Sequence, residues 1–179
     1  MKQGIERMAS GNREVVKFIV LLLVFTVIFH VIYQYFIIGK EHFLRETTAL
    51  IVGFCLNLLG AGNTVNGADI IFVSAPAFNL IYGCIGVYPI MVFVACVLAY
   101  PTTFRNKIIG IVPGVILLYV IEIVRLTFLG VINLHYPDLF DVTHVYLWQA
   151  TLVIFVLLLL FLWITRIVER EEASEENEK

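Results

Sequence analysis

The stretch Ile108–Ile132 has the sequence IIGIVPGVILLYVIEIVRLTFLGVI and decides the fold. A helix needs about 20 apolar residues to cross the hydrocarbon of a bilayer, and this stretch exceeds that length. Pro113 and Gly114 can bend the helix near its start, but lipid offers the backbone no better partners than its own hydrogen bonds. The sequence therefore predicts a membrane-spanning helix here, with Glu122 and Arg125 inside it.

The composition of the whole chain also indicates a membrane protein. Hydrophobic residues make up 60% of the sequence and its mean hydropathy is +0.94, whereas soluble domains contain roughly 45–50% apolar residues. We expect one membrane-embedded domain at residues 1–168 and an acidic, disordered cytoplasmic tail at residues 169–179. The net charge of −2 combines a basic N-terminus with this acidic tail, and neither end suggests nucleic acid as a partner.

Four segments are predicted to cross the membrane, with both termini in the cytoplasm. The segments are Val16–Ile38, Ile85–Tyr100, Ile108–Ile132 and Val145–Ile167. Lys and Arg residues near the ends of spans mark the cytoplasmic side. They cluster before the first span, between the second and third, and after the fourth, as Lys2, Arg7, Arg13, Lys17, Arg105, Lys107, Arg166 and Arg170. Residues 39–83 and 133–144 are then outside, and the sequence predicts a multi-pass membrane protein.

Two further segments precede the second span. Phe43–Gly60 is apolar but short, and a fifth crossing would reverse the basic loops, so we interpret it as a helix that lies in the outer interface or dips partly into the bilayer. Within Thr64–Asn79, the dipeptide Asn66-Gly67 is a turn signal and Ile70–Val73 is prone to form a strand. The predicted fold class is all-α: a polytopic transmembrane bundle of about four spans, with an interfacial or partly inserted helix and a small extracytoplasmic hairpin.

Three residues of different chemistry are predicted to lie at the outer membrane boundary, namely Cys84, Arg125 and His144. Cys84 is either an accessible thiol between flanking glycines or a small packed side chain. Arg125 is either a functional charge or a structural one, paired with Glu122 three residues earlier or extended to the lipid headgroups. A lone His at this position is typical of a solvated boundary residue. His144 becomes a functional candidate because Cys84 and Arg125 are predicted to lie at the same membrane face.

A thiol, a guanidinium and an imidazole at one membrane face are suited to acyl transfer. A thiolate attacks a carbonyl, a fixed cation stabilises the negative oxygen that forms, and an imidazole exchanges the protons. Asp141 can orient the His144 ring, and either Asp141 or Thr143 can cap the last helix. No two Cys or His residues are two to five positions apart, so no short-spaced zinc site is expected.

The order and setting of these residues resemble the exosortase and archaeosortase family. The resemblance covers roughly Val65–Trp163, with a Cys that opens one span, an Arg late in the next and a His that opens the last. The segment Tyr136–Leu152, which contains HVYLWQA from His144 onward, is most similar to the exosortase H branch. Many members of the family have Ser directly after the Cys, where this chain has Ile85.

The resemblance implies a membrane-embedded cysteine protease or transpeptidase that needs no cofactor. Its substrates would be exported proteins whose C-terminal signal combines a short motif, a hydrophobic helix and a basic end, and membrane lipid surrounds the site. Carried over by motif position, Cys84 is the nucleophile, Arg125 the substrate or oxyanion cation, and His144 the acid and base. Tyr82 joins Asp141 and Glu122 as substrate-binding or supporting residues.

Two other functions compete with this interpretation. A non-enzymatic membrane scaffold would pair Arg125 with Glu122 and leave Cys84 as a packed residue. A small transporter subunit would use Arg125 and His144 for anions or protons, although transporter sites usually lie near the midplane and these residues are expected nearer the outer boundary.

Overall fold

The computed structural model describes residues 2–37, 42–73, 75–80, 85–144 and 148–169. These residues are mostly helical and include one small sheet. The helices are α1 (Lys2–Ile32, continued by a π-helical turn, Tyr33–Ile37), α2 (His42–Leu58), α3 (Val87–Ala99), α4 (Phe104–His135), a short α5 (Phe140–Val142, preceded by a 3₁₀ turn, Pro137–Leu139) and α6 (Trp148–Trp163, continued by a π-helical turn, Ile164–Val168). The strands are β1 (Asn63–Asn66), β2 (Asp69–Phe72) and β3 (Phe78–Asn79).

Within the residues that the structure describes, three stretches are long and apolar enough to cross a membrane, at Arg13–Tyr35, Phe104–His135 and Ala150–Val168. They correspond to the first, third and fourth predicted spans. The second predicted span is an apolar helix as expected, but α3 has only 13 residues. At about 1.5 Å per residue it rises about 20 Å, less than the roughly 30 Å of hydrocarbon. The prediction of a helical membrane protein is confirmed, whereas a fourth complete crossing remains a prediction.

Ring contacts show that α1 and α3 run in opposite directions. The Phe18 ring, in the middle of α1, lies 6.3 Å from that of Tyr100 at the end of α3. The Tyr33 ring, directly after α1, lies 4.9 Å from that of Tyr88 at the beginning of α3, both distances being between ring centroids. A buried core that includes Phe93, Val97, Leu118, Val156 and Trp163 joins α3, α4 and α6. Three helices thus enclose the short α3.

The second helix lies along α4. The Thr48 hydroxyl is 3.1 Å from the Tyr119 hydroxyl, and eight residues later along α2 Leu56 packs against Gly130. Because both contact positions advance along the sequence, α2 and α4 run in the same direction over this stretch. α2 thus packs lengthwise on a helix that is long enough to cross a membrane, while its placement in the outer interface or partly within the bilayer remains a prediction. The helix ends in paired Schellman hydrogen bonds, from Ala61 N–H to the Leu56 carbonyl and from Gly60 N–H to the Asn57 carbonyl.

The three strands form an antiparallel sheet in the order β1-β2-β3. The predicted hairpin is present, but its two loop residues are Gly67 and Ala68, between the paired Asn66 and Asp69, one position later than predicted. Gly67 has φ +61°, whereas Asn66 and Ala68 do not have positive φ. A turn centred on Asn66-Gly67 would have needed positive φ at both residues, and the observed pattern favours the type II′ turn, which takes Gly first.

The sheet, α2 and the second half of α4 share a second buried core. It contains Ala49, Val52, Leu56, Ala61, Ile70, Phe72, Phe78, Leu80, Leu126 and Leu129. The Asn133 side chain also donates a hydrogen bond of 2.8 Å to the Pro76 carbonyl. The sheet is therefore fixed on the part of α4 that contains Arg125.

Candidate active site

Glu122 and Arg125 form a buried ion pair on one face of α4. Arg125 Nη1 donates to Glu122 Oε1 over 2.8 Å, and the two side chains are 5% and 1% exposed. The spacing of three residues puts both on the same side of the helix. The predicted pairing is confirmed, and the alternative in which Arg125 extends to the lipid headgroups is wrong because its side chain points into the protein.

The opposite face of α4 shows what surrounds this pair. Val120, Val124 and Phe128 lie at the same height along the helix and are exposed apolar residues. An exposed apolar face within a candidate span is the surface that lipid covers. The charges of Glu122 and Arg125 are therefore held inside the protein at a depth where the outside is apolar.

The ion pair uses only part of its hydrogen-bonding capacity. Glu122 Oε2 and Arg125 Nε are buried and have no hydrogen-bond partner among the described residues. A guanidinium and a carboxylate can form two parallel hydrogen bonds, whereas this pair forms one. Within the described part of the chain, one acceptor and one donor thus have no partner in the interior, where leaving such groups unpaired is costly.

Gly86, at the N-terminus of α3, lies close to this ion pair. It has φ +69° and precedes Val87, the first residue of α3. A Cβ placed on Gly86 would lie 3.0 Å from Cγ, Cδ and Oε2 of Glu122. Both the backbone conformation and the close approach of the carboxylate require glycine here.

Cys84 and Tyr82 lie in residues 81–84, outside the described residues. The described neighbours on both sides are fixed in the interior, since Leu80 and Ile85 are almost fully buried. The backbone of Leu80 is held at both polar groups: its N–H donates to the Ala68 carbonyl over 3.0 Å, and its carbonyl accepts from Arg45 Nε over 2.7 Å.

Arg45 is a supporting residue that the sequence analysis did not single out. It lies on α2 and holds the carbonyl four positions before Cys84. The signal in the sequence was a basic residue near the start of the mostly apolar Phe43–Gly60 segment, a signal similar to the one that identified Arg125.

His144 belongs to an aromatic row that leads to the core beside Arg125. Its ring stacks on Phe140 at 5.7 Å and 15°, and Phe140 meets Phe78 edge to face at 5.6 Å and 79°. Phe78 is in turn part of the buried core with Leu126. The structure therefore ties His144 to the sheet and to α4.

The suggestion that Asp141 or Thr143 caps the last helix is wrong. An N-cap residue has a non-helical backbone, whereas Asp141 lies within α5 and Thr143 has φ −65° and ψ −44°. The side chain of Asp141 is outside the described part of the structure, so its orienting role stays a prediction.

Among the described residues, no group of three His, Cys, Asp or Glu side chains is arranged to hold a metal ion. The arrangement brings together Glu122, Arg125 and Gly86, and connects His144 to the same core through Phe140. Such a site offers fixed charges and hydrogen-bonding groups to a polar substrate group in an apolar setting.

Comparison with known proteins identifies the family. No curated protein and no solved structure matches the chain. The family model described as transmembrane exosortase matches residues 6–164. The matched range begins within α1 and so covers most of that helix, whereas the resemblance seen in the sequence began only at Val65. The protein is thus a member of the transmembrane exosortase family.

Proposed function

We propose that the protein is a membrane-embedded cysteine protease or transpeptidase that cleaves the C-terminal sorting signal of exported proteins through a thioacyl intermediate on Cys84. The observation that carries this proposal is the buried Glu122–Arg125 pair, which has one donor and one acceptor without a partner among the described residues and lies against Gly86. Membership of a family of membrane sorting enzymes supports the reaction class.

The short chain distance from Cys84 to Gly86 keeps the proposed nucleophile near this ion pair. Cys84 is two residues before Gly86, and two residues of extended chain span at most roughly 7 Å. Gly86 in turn lies so close to the Glu122 carboxylate that an added Cβ would be 3.0 Å from it. A cysteine tethered so closely to a buried guanidinium is suited to deliver its sulfur to a carbonyl that the guanidinium polarises.

The reaction proceeds in two acyl transfers. The Cys84 thiolate attacks the scissile carbonyl carbon and forms a carbon–sulfur bond, while Arg125 stabilises the negative charge on the oxygen. The carbon–nitrogen bond then breaks, and His144 as imidazolium gives its proton to the departing amine. An acceptor (water, an amine or a lipid) attacks the thioester, loses its proton to His144, and releases the product and the thiolate.

The length of α4 supports a site near the outer face. Arg125 is eighteen residues beyond Lys107, a rise of about 27 Å along a helix. With Lys107 at the cytoplasmic boundary, Arg125 lies close to the far side of the roughly 30 Å hydrocarbon layer. An exported substrate can then present its motif to Cys84 from outside, while its hydrophobic helix lies beside the spans and its basic end stays in the cytoplasm.

The function is tested by coexpression with exported proteins whose C-termini combine an apolar helix with basic residues. We expect the protein to remove the tail from one or more of them, with a shortened product in the membrane or outside fraction. Mass spectrometry of the product gives the new C-terminus and identifies the acceptor. Tails that all remain intact in cells that contain folded protein would contradict the proposal and favour the scaffold.

The orientation is tested with two exposed positions in a variant whose native cysteines are replaced by alanine. Asp138→Cys lies just after the C-terminal end of α4, the end nearer to Arg125. Arg105→Cys lies at the N-terminal end of α4. A membrane-impermeant thiol reagent is expected to label Asp138→Cys in intact cells and Arg105→Cys only after lysis. The reverse pattern would place the Glu122–Arg125 pair nearer the cytoplasm and contradict the proposed topology.

Replacement of Gly86 by alanine is expected to lower processing at least tenfold. The new methyl group would have to displace the Glu122 carboxylate, and alanine is strained at φ +69°. The matched control is Gly62→Ala, because a Cβ at Gly62 meets no atom within 4 Å. Rates are compared at equal membrane abundance, and an unimpaired Gly86→Ala variant would show that the Gly86 contact is irrelevant to the reaction.

A further inference from the structure

We propose that a pocket between α1 and the turn from α3 to α4 binds the phosphate group of one anionic phospholipid, with Lys17 and Lys107 as the two cations that hold it. The pocket has a volume of about 130 Å³. It lies at the opposite end of α4 from Arg125, among residues that take no part in the proposed reaction. The inference therefore goes beyond the proposed function and does not depend on it.

The pocket lies at one boundary of the membrane. One candidate span begins at Arg13 and another at Phe104, and the short α3 ends at Ala99. Residues from these three helix ends, and from the turn that joins α3 to α4, line the pocket. Because the ends of membrane-embedded helices meet the polar boundary of the bilayer, the pocket is at the level where lipid headgroups join hydrocarbon.

Four residues of α1 give the pocket a polar end and an apolar end. Glu14, Lys17, Phe18 and Leu21 all line it, and their spacings of three, four and seven residues place them on one face of the helix. Leu21 is four residues beyond Lys17 and so lies about 6 Å deeper in the span. Leu98 lines the wall that α3 forms. A charged headgroup joined to hydrocarbon matches both ends of the pocket, whereas a free ion matches only one.

The charges of the lining fit a phosphodiester. Lys107 Nζ donates to the Leu98 carbonyl over 2.7 Å, which fixes the ammonium group at the pocket and leaves two of its three N–H donors for a ligand. Lys17 forms no ion pair or hydrogen bond with another described residue. With Glu14 included, the lining has a net charge of +1, and a lipid phosphodiester carries one negative charge. Basic pockets between membrane helices are typical sites for phospholipid headgroups.

The size of the pocket admits only part of such a lipid. A cavity of roughly 150 Å³ holds a molecule of the size of benzene, so a pocket of about 130 Å³ accommodates the phosphate and the adjoining glycerol carbons but not the acyl chains. The chains then lie outside, along apolar α1 side chains such as Val20 and Val24, which are exposed. The most apolar part of this span contains no buried residue, so lipid has access to it.

The test is native mass spectrometry of the purified full chain in detergent, titrated with dioleoylphosphatidylglycerol. We expect one tightly bound lipid per chain. Lys17→Gln is expected to weaken its binding on the order of tenfold or more, as for loss of a hydrogen bond to a charged group. Lys17→Arg keeps the cation and is expected to bind within about threefold of the wild type, since phosphate accepts hydrogen bonds from either side chain.

The matched control is Arg105→Gln. Arg105 is an exposed cation on the first turn of α4, two residues before Lys107, and it does not line the pocket. Its loss removes the same charge from the same membrane boundary, so binding is expected to change by less than about twofold. Lys17 is also exposed, so its replacement is not expected to impair folding.

A thermal unfolding series distinguishes the lipid from free phosphate. A ligand that binds only the folded state raises the unfolding temperature as its concentration increases. The lipid is expected to do so for the wild type and Lys17→Arg, whereas inorganic phosphate at the same concentrations is expected to have no effect. An equal rise with inorganic phosphate would overturn the assignment to a lipid. Equal lipid affinity of the wild type and Lys17→Gln, or an equal loss in Arg105→Gln, would show only nonspecific contact with lipid and overturn the inference.

Discussion

Cys84→Ala is expected to abolish removal of the C-terminal tail while the amount of protein in the membrane stays at the wild-type level. Loss of a catalytic nucleophile typically lowers turnover by about 10⁴-fold or more. The side chain is small, so its truncation to alanine alters little packing. The measurement is the fraction of shortened reporter at equal membrane abundance.

Two other cysteines provide matched controls for this variant. Cys55 on α2 and Cys96 on α3 are free, half-buried thiols. Cys55→Ala and Cys96→Ala are expected to process the reporter at close to the wild-type rate, because neither residue is a near neighbour in sequence of Gly86, the residue that lies against Glu122. Wild-type cleavage by Cys84→Ala would remove the nucleophile from the mechanism.

The second large effect concerns the buried ion pair. Arg125→Met leaves the Glu122 carboxylate without its partner in the interior, and breaking a buried pair in this way costs about 3–5 kcal/mol. We expect a lower unfolding temperature in detergent, less protein in the membrane and no processing. Arg166→Met removes an exposed arginine near the end of the last helix and is expected to change stability little.

The double variant Glu122→Leu with Arg125→Met separates structure from chemistry. Replacing both members of a buried pair by apolar residues of similar size is often neutral or stabilising. We therefore expect the double variant to regain the stability that Arg125→Met loses, yet to remain unable to process the reporter. If the ion pair only held the fold together, the double variant would process the reporter at the wild-type rate. That result would contradict the role of Arg125 in the reaction.

The helical part of the fold could be predicted from hydropathy and from helix end signals. Ile108–Ile132 lies within α4 because an apolar stretch of that length has few alternatives in lipid. The end of α2 before Gly60 was also visible in the sequence. What hydropathy could not give is the course of α2 along α4, since it depends on contacts such as Thr48 with Tyr119, far apart in the chain.

The site was predictable where its contacts are local. The Glu122–Arg125 pair follows from a spacing of three residues on one helix. The contact between Gly86 and Glu122 joins positions on different helices, and the hydrogen bond from Arg45 to Leu80 joins α2 to the chain before Cys84. Neither has a periodic signal in the sequence. The roles of Cys84 and His144 remain proposals that rest on the family and on the surrounding geometry.

The most direct test of the central claim is mass spectrometry of the intact protein after a brief reaction with a cleavable tail peptide and an acid quench. The mechanism predicts an increase in mass equal to the acyl portion of the peptide, located on Cys84 and missing from Cys84→Ala. Cleavage of the peptide that proceeds equally in the Cys84→Ala variant, with no acyl group on Cys84 of the wild type, would contradict the account.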